Sequence, residues 1–235
     1  MKKKVILFDL DGTLLPMDAS RYDKLYFKLL TKEWSKNGYE PKKLLKVIEN
    51  GLVKMVANNG SRTNEQVFWD YFVSIYGEKA VKDRPFFDAF YLDHYDKLKQ
   101  TCGFLKEANE VVKYLKGKGY RLALTTNPVF PTMATQKRII WAGLDKNDFE
   151  LVTTYEDCHY CKPNSKYFQE VLDKMGVKAE DCIMVGNDMI EDLCAEEIGI
   201  DIFMLTHNLI NRDNKDITLY PNGTLQDFLK YIDEV

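Results

Sequence analysis

The chain has 235 residues, 45% hydrophobic and 29% charged, with a formal net charge of −3. That length can bury one large core, or a core carrying a smaller domain, without a disulfide framework. Mixed charge leaves no basic footprint for nucleic acid, and no stretch is apolar for the length of a bilayer span, so neither nucleic acid nor membrane is an expected partner.

The first element is Val5-Ile-Leu-Phe-Asp-Leu-Asp-Gly-Thr-Leu14, an apolar run that reads as a buried strand over 5–10. Only this short run follows Met-Lys-Lys-Lys, too little for a signal peptide. With five scattered cysteines that read as reduced thiols, this makes the cytoplasm the expected compartment. Asp9 and Asp11 end the strand. Side chains two apart on a strand share a side, so the pair is expected to face one cavity, with Gly12 allowing a tight turn. Two such charges about 4 Å apart repel by roughly 4 kcal/mol in an intermediate dielectric, so a positive group is expected beside them.

Residues 16–98 hold no convincing strand. Tyr22, Leu25, Tyr26, Leu29 and Leu30 keep one face of a helix, and Val67, Phe68, Tyr71, Phe72 and Ile75 keep another. The second follows a loop at Gly60-Ser-Arg-Thr63 and starts with a capping box of Thr63 and Gln66. Beyond residue 100, strands are expected over 121–126, 151–155, 182–185 and 201–205, alternating with helical patterns, and a last helix over 224–231. That alternation predicts an α/β fold, a parallel sheet with helices on both faces. Its polar strand tips, Asp9 to Asp11, Thr125 to Asn127 and Gly186 to Asp188, should converge in the crevice at the carboxyl edge.

Asp188 stands at one tip and Asp192 four residues later, at the start of a helical run reaching Ile198. Carboxylate oxygens suit Mg²⁺, which takes one or two of them with waters and a substrate phosphate; the plainer reading is helix capping by both acids. Thr126 and the backbone of Asn127 can bond phosphoryl oxygens, and Lys162, before a helix that Asn164 can cap, can neutralise both the acids and a phosphate.

These four pieces resemble the haloacid dehalogenase-like hydrolase superfamily: D-L-D-G-T at Asp9 to Thr13, L-T-T-N at Leu124 to Asn127, the lysine of C-K-P-N at Cys161 to Asn164, and V-G-N-D-M-I-E-D at Val185 to Asp192. The resemblance implies a Rossmann-like core over 1–15 and 99–235, with 16–98 as an inserted helical cap domain. It implies Asp9 as nucleophile and metal ligand, Asp11 as general acid and base with its backbone carbonyl on the metal, Asp188 as a further ligand, and Asp192 behind them. Thr126, Asn127 and Lys162 would bind the phosphoryl group. The implied activity is a Mg²⁺-dependent phosphatase forming an aspartyl-phosphate from a small phosphorylated metabolite, and the acid at position 11 favours phosphoryl transfer over dehalogenation. The chain departs from the commoner Gly-Asp pattern at Gly186-Asn187-Asp188, and Asp188 is aligned as the ligand because Asp192 then follows at four residues.

A phosphomutase or phosphotransferase would use the same residues with another acceptor, and a phosphate-sensing module would leave Asp11 idle. Cys158 and Cys161 form a C-x-x-C without the second pair a zinc site needs, although oxidation beside Lys162 offers a route to inactivation. His94 and His207 read as structural, whereas Arg62, Asp18 and Arg21 are candidates to touch substrate. Monomer and dimer are both compatible with the aromatic-rich insertion.

Overall fold

A computed structural model describes residues 3–234. The apolar runs become strands β1 (Val5–Phe8), β2 (Arg121–Leu124), β3 (Leu151–Val152), β4 (Cys182–Gly186) and β5 (Asp201–Leu205), with a two-residue edge strand, β6 (Asn222–Gly223), that the pattern did not suggest. All neighbours are parallel, in the order β3-β2-β1-β4-β5-β6. The first three strands stop short of their expected ends. Asp9 N still donates to Val185 O at 3.0 Å, but the N–H groups of Thr13, Leu14 and Leu15 then all turn back to Leu10 O. Gly12, at φ +85°, makes that turn without the penalty a Cβ would incur.

Alternation along β1 divides the core. Ile6 and Phe8 pack with Leu122, Leu124, Ile183 and Val185 on one face; Val5 and Leu7 pack with Ala123, Cys182 and Met184 on the other. Burying each such side chain is worth about 1.5–3 kcal/mol, so a strand apolar on both faces is fixed in the middle of the sheet.

Between β1 and β2 the chain forms α1 (Ala19–Ser35), α2 (Pro41–Val56), α3 (Asn64–Tyr76), α4 (Glu78–Lys82), α5 (Arg84–Asp93) and a 3₁₀ turn, Tyr95–Thr101. Asp18 caps α1 by accepting from Arg21 N at 3.0 Å, and Thr63 and Gln66 form the expected box at α3. On α1, Tyr22, Tyr26 and Leu30 are buried as the spacing predicts. On α3, Trp69 joins Phe68 and Phe72 inside, while Ile75 is 39% exposed, because Phe72 and Trp69 stack around Phe87 of α5 and leave the end of α3 outside. The two chain crossings into and out of this region lie side by side, with Gly103 N donating to Pro16 O at 2.7 Å.

The remaining helices are α6 (Lys106–Gly117), α7 (Thr132–Trp141), α8 (Lys166–Met175) and α9 (Leu225–Glu234). Buried residues of α6, α7 and α9 join the Phe8 face, and those of α8 join the Leu7 face. The run expected to be a helix after Asp192 is a 3₁₀ turn, Leu193–Ile198. Among the described residues no helix is long and apolar enough to cross a membrane.

Candidate active site

With β1 between β2 and β4, successive connections leave the sheet centre in opposite directions, and the carboxyl ends of β1 and β4 border the crevice this creates. A cavity of about 520 Å³ opens there. Asp9, Asp11, Thr126, Asn127, Asp188 and Asp192 all line it, so the three polar tips do converge.

Asp9 continues the parity of Val5 and Leu7 and therefore faces the α8 side, where the loop before that helix brings in Lys162. The lysine is 1% exposed. Its Nζ lies 3.0 Å from Asp9 Oδ1 and 2.6 Å from Asp192 Oδ1, and Thr13 Oγ1 lies 3.0 Å from Asp9 Oδ2. Burial raises the Asp9 carboxyl to about 7, with Lys162 pulling it back and Asp192 and Asp11 adding to the rise. Burial alone would lower the Lys162 ammonium, but Asp192 and Asp9 outweigh it and hold it well above its ordinary value.

Asp11 does not share these partners. Because β1 ends at Phe8, strand parity no longer governs position 11, and its carboxylate turns to the opposite side of the crevice while still lining the cavity. There Arg138 Nη1 donates to Asp11 Oδ2 at 2.7 Å, and Thr126 Oγ1 sits at 3.5 Å from the same oxygen. Lys162 thus meets Asp9 but not Asp11; a second cation does that work, correcting the expectation of one lysine for both acids. Arg138 is 1% exposed, its Nη2 donates to Thr135 Oγ1 at 3.3 Å, and its guanidinium lies 4.5 Å from the centre of the Phe130 ring. Burial by itself would lower the guanidinium, yet Asp11, Tyr95 and Tyr22 hold it above its ordinary value. The signal for it was helical period: Ala134, Thr135, Arg138 and Ile139 share the buried face of α7.

After β4 the backbone wraps around acids. Asp192 Oδ2 accepts from Asn187 N and Asp188 N, each at 2.9 Å, and Asp188 Oδ1 accepts from Ile190 N at 2.8 Å and Glu191 N at 3.0 Å. Both acids therefore cap the turn, and both also line the cavity. Gly186 is required because a Cβ there would overlap the Asp192 carboxylate. Asp188 Oδ2 holds Arg212 Nη1 at 3.0 Å. Asn127 bridges two loops, donating to Glu191 Oε2 at 3.0 Å and accepting from Lys162 N at 3.2 Å. Asn187 also faces the site, with Oδ1 2.9 Å from Thr13 Oγ1. Glu191 and Arg212, neither singled out in the sequence, line the cavity too.

The other candidates separate cleanly. Asp18 lines the cavity from its capping position, whereas Arg21 is exposed and Arg62 pairs with Asp70 on the outside of α3. His94 approaches Glu33 at 3.4 Å, and His207 Nε2 lies 2.8 Å from Thr13 O, which supports the loop after β1. Asn164 Oδ1 accepts from Lys166 N at 3.1 Å, at the start of α8. All five cysteines are free, Cys158 and Cys161 are buried, and burial pushes the Cys158 thiol up to about 12 and Cys161 higher still. Among the described residues no three His, Cys, Asp or Glu side chains gather as a metal cage.

The family model described as haloacid dehalogenase-like hydrolase matches residues 6–205. Pyrophosphatase PpaX of Bacillus cereus is 28% identical over 80% of this chain and 76% of its own length. Glyceraldehyde 3-phosphate phosphatase of Methanothermobacter thermautotrophicus is 27% identical over 91% of this chain and 90% of its own. A crystal structure of YfnB from Bacillus subtilis bound to magnesium aligns over 99% of this chain and 100% of that one, with a TM-score of 0.56 and 20% identity. The chain belongs to the haloacid dehalogenase-like hydrolases.

Proposed function

We propose that this hydrolase is a magnesium-dependent phosphatase that removes the phosphoryl group of a small phosphomonoester through an aspartyl-phosphate on Asp9. The observation that carries the reading is the separate pairing of two neighbouring acids, Asp9 with a buried ammonium and Asp11 with a buried guanidinium. Unlike partners suit unlike tasks. Asp9, held from both oxygens by Lys162 and Thr13, is oriented to attack phosphorus in line. Asp11, which lines the cavity from the opposite side, would pass a proton to the leaving oxygen, then take one from the hydrolytic water. Thr126 and the N–H groups beside it would hold the phosphoryl oxygens where charge grows.

The Asp9 and Asp188 carboxylates with the Asp11 carbonyl form a hard oxygen set that fits Mg²⁺. The ion takes only one or two carboxylates, with waters and a substrate phosphate. When bound, magnesium would offset the charge between Asp9 and the phosphate. The relative bound to magnesium supports the same choice of ion.

Residues 16–98 are read as a cap domain over this core, since α1 supplies Asp18, Tyr22 and Asp23 to the cavity while the core supplies the acids at its base. A cavity of about 520 Å³ suits a metabolite. Its described arginines are already paired, Arg138 with Asp11 and Arg212 with Asp188, and Asp18 and Asp23 stand on the cap side. A leaving group that is neutral or cationic is therefore favoured over one bearing a carboxylate. The test is hydrolysis of p-nitrophenyl phosphate, glycerol phosphate, ethanolamine phosphate and phosphoglycolate, with magnesium and with EDTA. Turnover that needs magnesium, disappears in Asp9→Asn and is poorest with phosphoglycolate supports the reading; full activity of Asp9→Asn refutes it.

A further inference from the structure

We infer that Arg138 is a positioning residue that holds the Asp11 carboxyl in place to protonate the leaving oxygen, an inference resting on the phosphatase reading above. Asp11 lies past the end of β1, where no ladder fixes its direction. Among the described residues its side chain is held only by Arg138 and, at the edge of hydrogen-bonding range, by Thr126. The guanidinium that holds it is itself fixed. It is bonded to Thr135 one helical turn earlier, covered by Phe130, and faced by the Tyr22 and Tyr95 hydroxyls, which bond each other.

Stability alone does not account for this arrangement. A buried ion pair is often no better than apolar side chains of the same volume. Arg138 also leaves its Nε–H buried without a partner among the described residues, which costs stability. The chain keeps the arginine in spite of both, and among the described residues its one ionic contact is with Asp11. Arg138 holds Oδ2 while Oδ1 is buried without a partner among the described residues, so the guanidinium sets where the carboxyl points.

In the step concerned, the bond from Asp9 to phosphorus forms and the bond from phosphorus to the leaving oxygen breaks. The bonding pair stays on that oxygen, which takes the proton from the Asp11 carboxyl. An alkoxide needs that proton at once, whereas p-nitrophenolate is stable without it. The value of kcat/KM reports events up to release of the leaving group, so it isolates this half of the reaction from hydrolysis of the aspartyl-phosphate. Loss of a positioned acid is worth about 100-fold or more.

The experiment compares kcat/KM for glycerol phosphate and p-nitrophenyl phosphate in Arg138→Met, Arg138→Lys, Asp11→Asn and the double variant Asp11→Asn with Arg138→Met. Arg138→Met is expected to lose about 100-fold with glycerol phosphate and only about threefold with p-nitrophenyl phosphate, Arg138→Lys to fall between it and the wild type. The double variant, which removes the buried guanidinium and the part-buried carboxylate together and so avoids stranding either, is expected to match Asp11→Asn on both esters. Equal losses on both esters in Arg138→Met, or a further tenfold loss in the double variant, would overturn the inference and leave Arg138 a structural residue. A wild-type protein that hydrolyses neither ester overturns the phosphatase reading, and the inference with it.

Discussion

Replacing Asp9 by asparagine is expected to remove activity and, in alkaline metal-free solution, to stabilise the fold. Burial lifts this carboxyl from 3.8 to about 7 in spite of Lys162. At about 1.4 kcal/mol per tenfold change in proton affinity, that rise amounts to about 4 kcal/mol. Because the folded value is raised, folding takes up a proton: the contribution is whole below the unfolded value of 3.8 and is lost as pH climbs through about 7. About 3 kcal/mol of it is lost between pH 5 and pH 8, and asparagine, which never ionises, loses none. The variant gives up the contact with Lys162, but that ammonium keeps Asp192 at 2.6 Å. Since 1 kcal/mol moves the Tm of a domain this size by about 2–4 °C, the Tm difference between Asp9→Asn and wild type should move in favour of the variant by about 5–10 °C over that range. Thermal denaturation in EDTA across pH 5 to 8 measures this. A difference that is constant with pH, or that moves the other way, refutes the reasoning. Added magnesium should raise the wild type more than the variant, because only the wild type offers both carboxylates.

Lys162→Met would leave Asp9 and Asp192 buried without their cation; unfolding by urea should show a loss of about 3–5 kcal/mol, and an unchanged midpoint would contradict the pairing. Gly186→Ala places a Cβ on the Asp192 carboxylate and should pull it from Asn187 N and Asp188 N. Since these bonds shape the loop that carries Asp188, magnesium affinity by calorimetry should fall about tenfold. Mild oxidant should leave activity intact, because the Cys158 and Cys161 thiols are buried and stay protonated; a Cys158–Cys161 disulfide found by mass spectrometry alongside inactivation would refute that.

Much of this site was legible in local chemistry. An apolar run ending in Asp-x-Asp-Gly, a second ending in Gly-Asn-Asp, a Thr-Thr-Asn tip and a lysine before a helix are each set by a few adjacent residues, and a parallel sheet brings such tips to one edge whatever the loop lengths. The insertion was equally plain, because Tyr22, Tyr26 and Leu30 repeat at helical spacing and Thr63 with Gln66 closes a cap through neighbours three residues apart. Strand ends were less so. Asp9, Thr125 and Thr153 still make a rung beyond β1, β2 and β3, and where the ladder stops depends on the turn of the partner chain. Ile75 followed the period of α3 yet lies outside, since Phe87 of α5 draws Trp69 inward instead.

Sequence by itself determined which polar residues stand at the strand tips and in what order the sheet receives them, because strand period, turn chemistry and charge are properties of short segments. Only the tertiary structure decided which cation serves which acid. Lys162 lies 153 residues from Asp9 and Arg138 lies 127 from Asp11. Pairing over such distances follows from which face of the sheet each helix covers, and no local pattern records that.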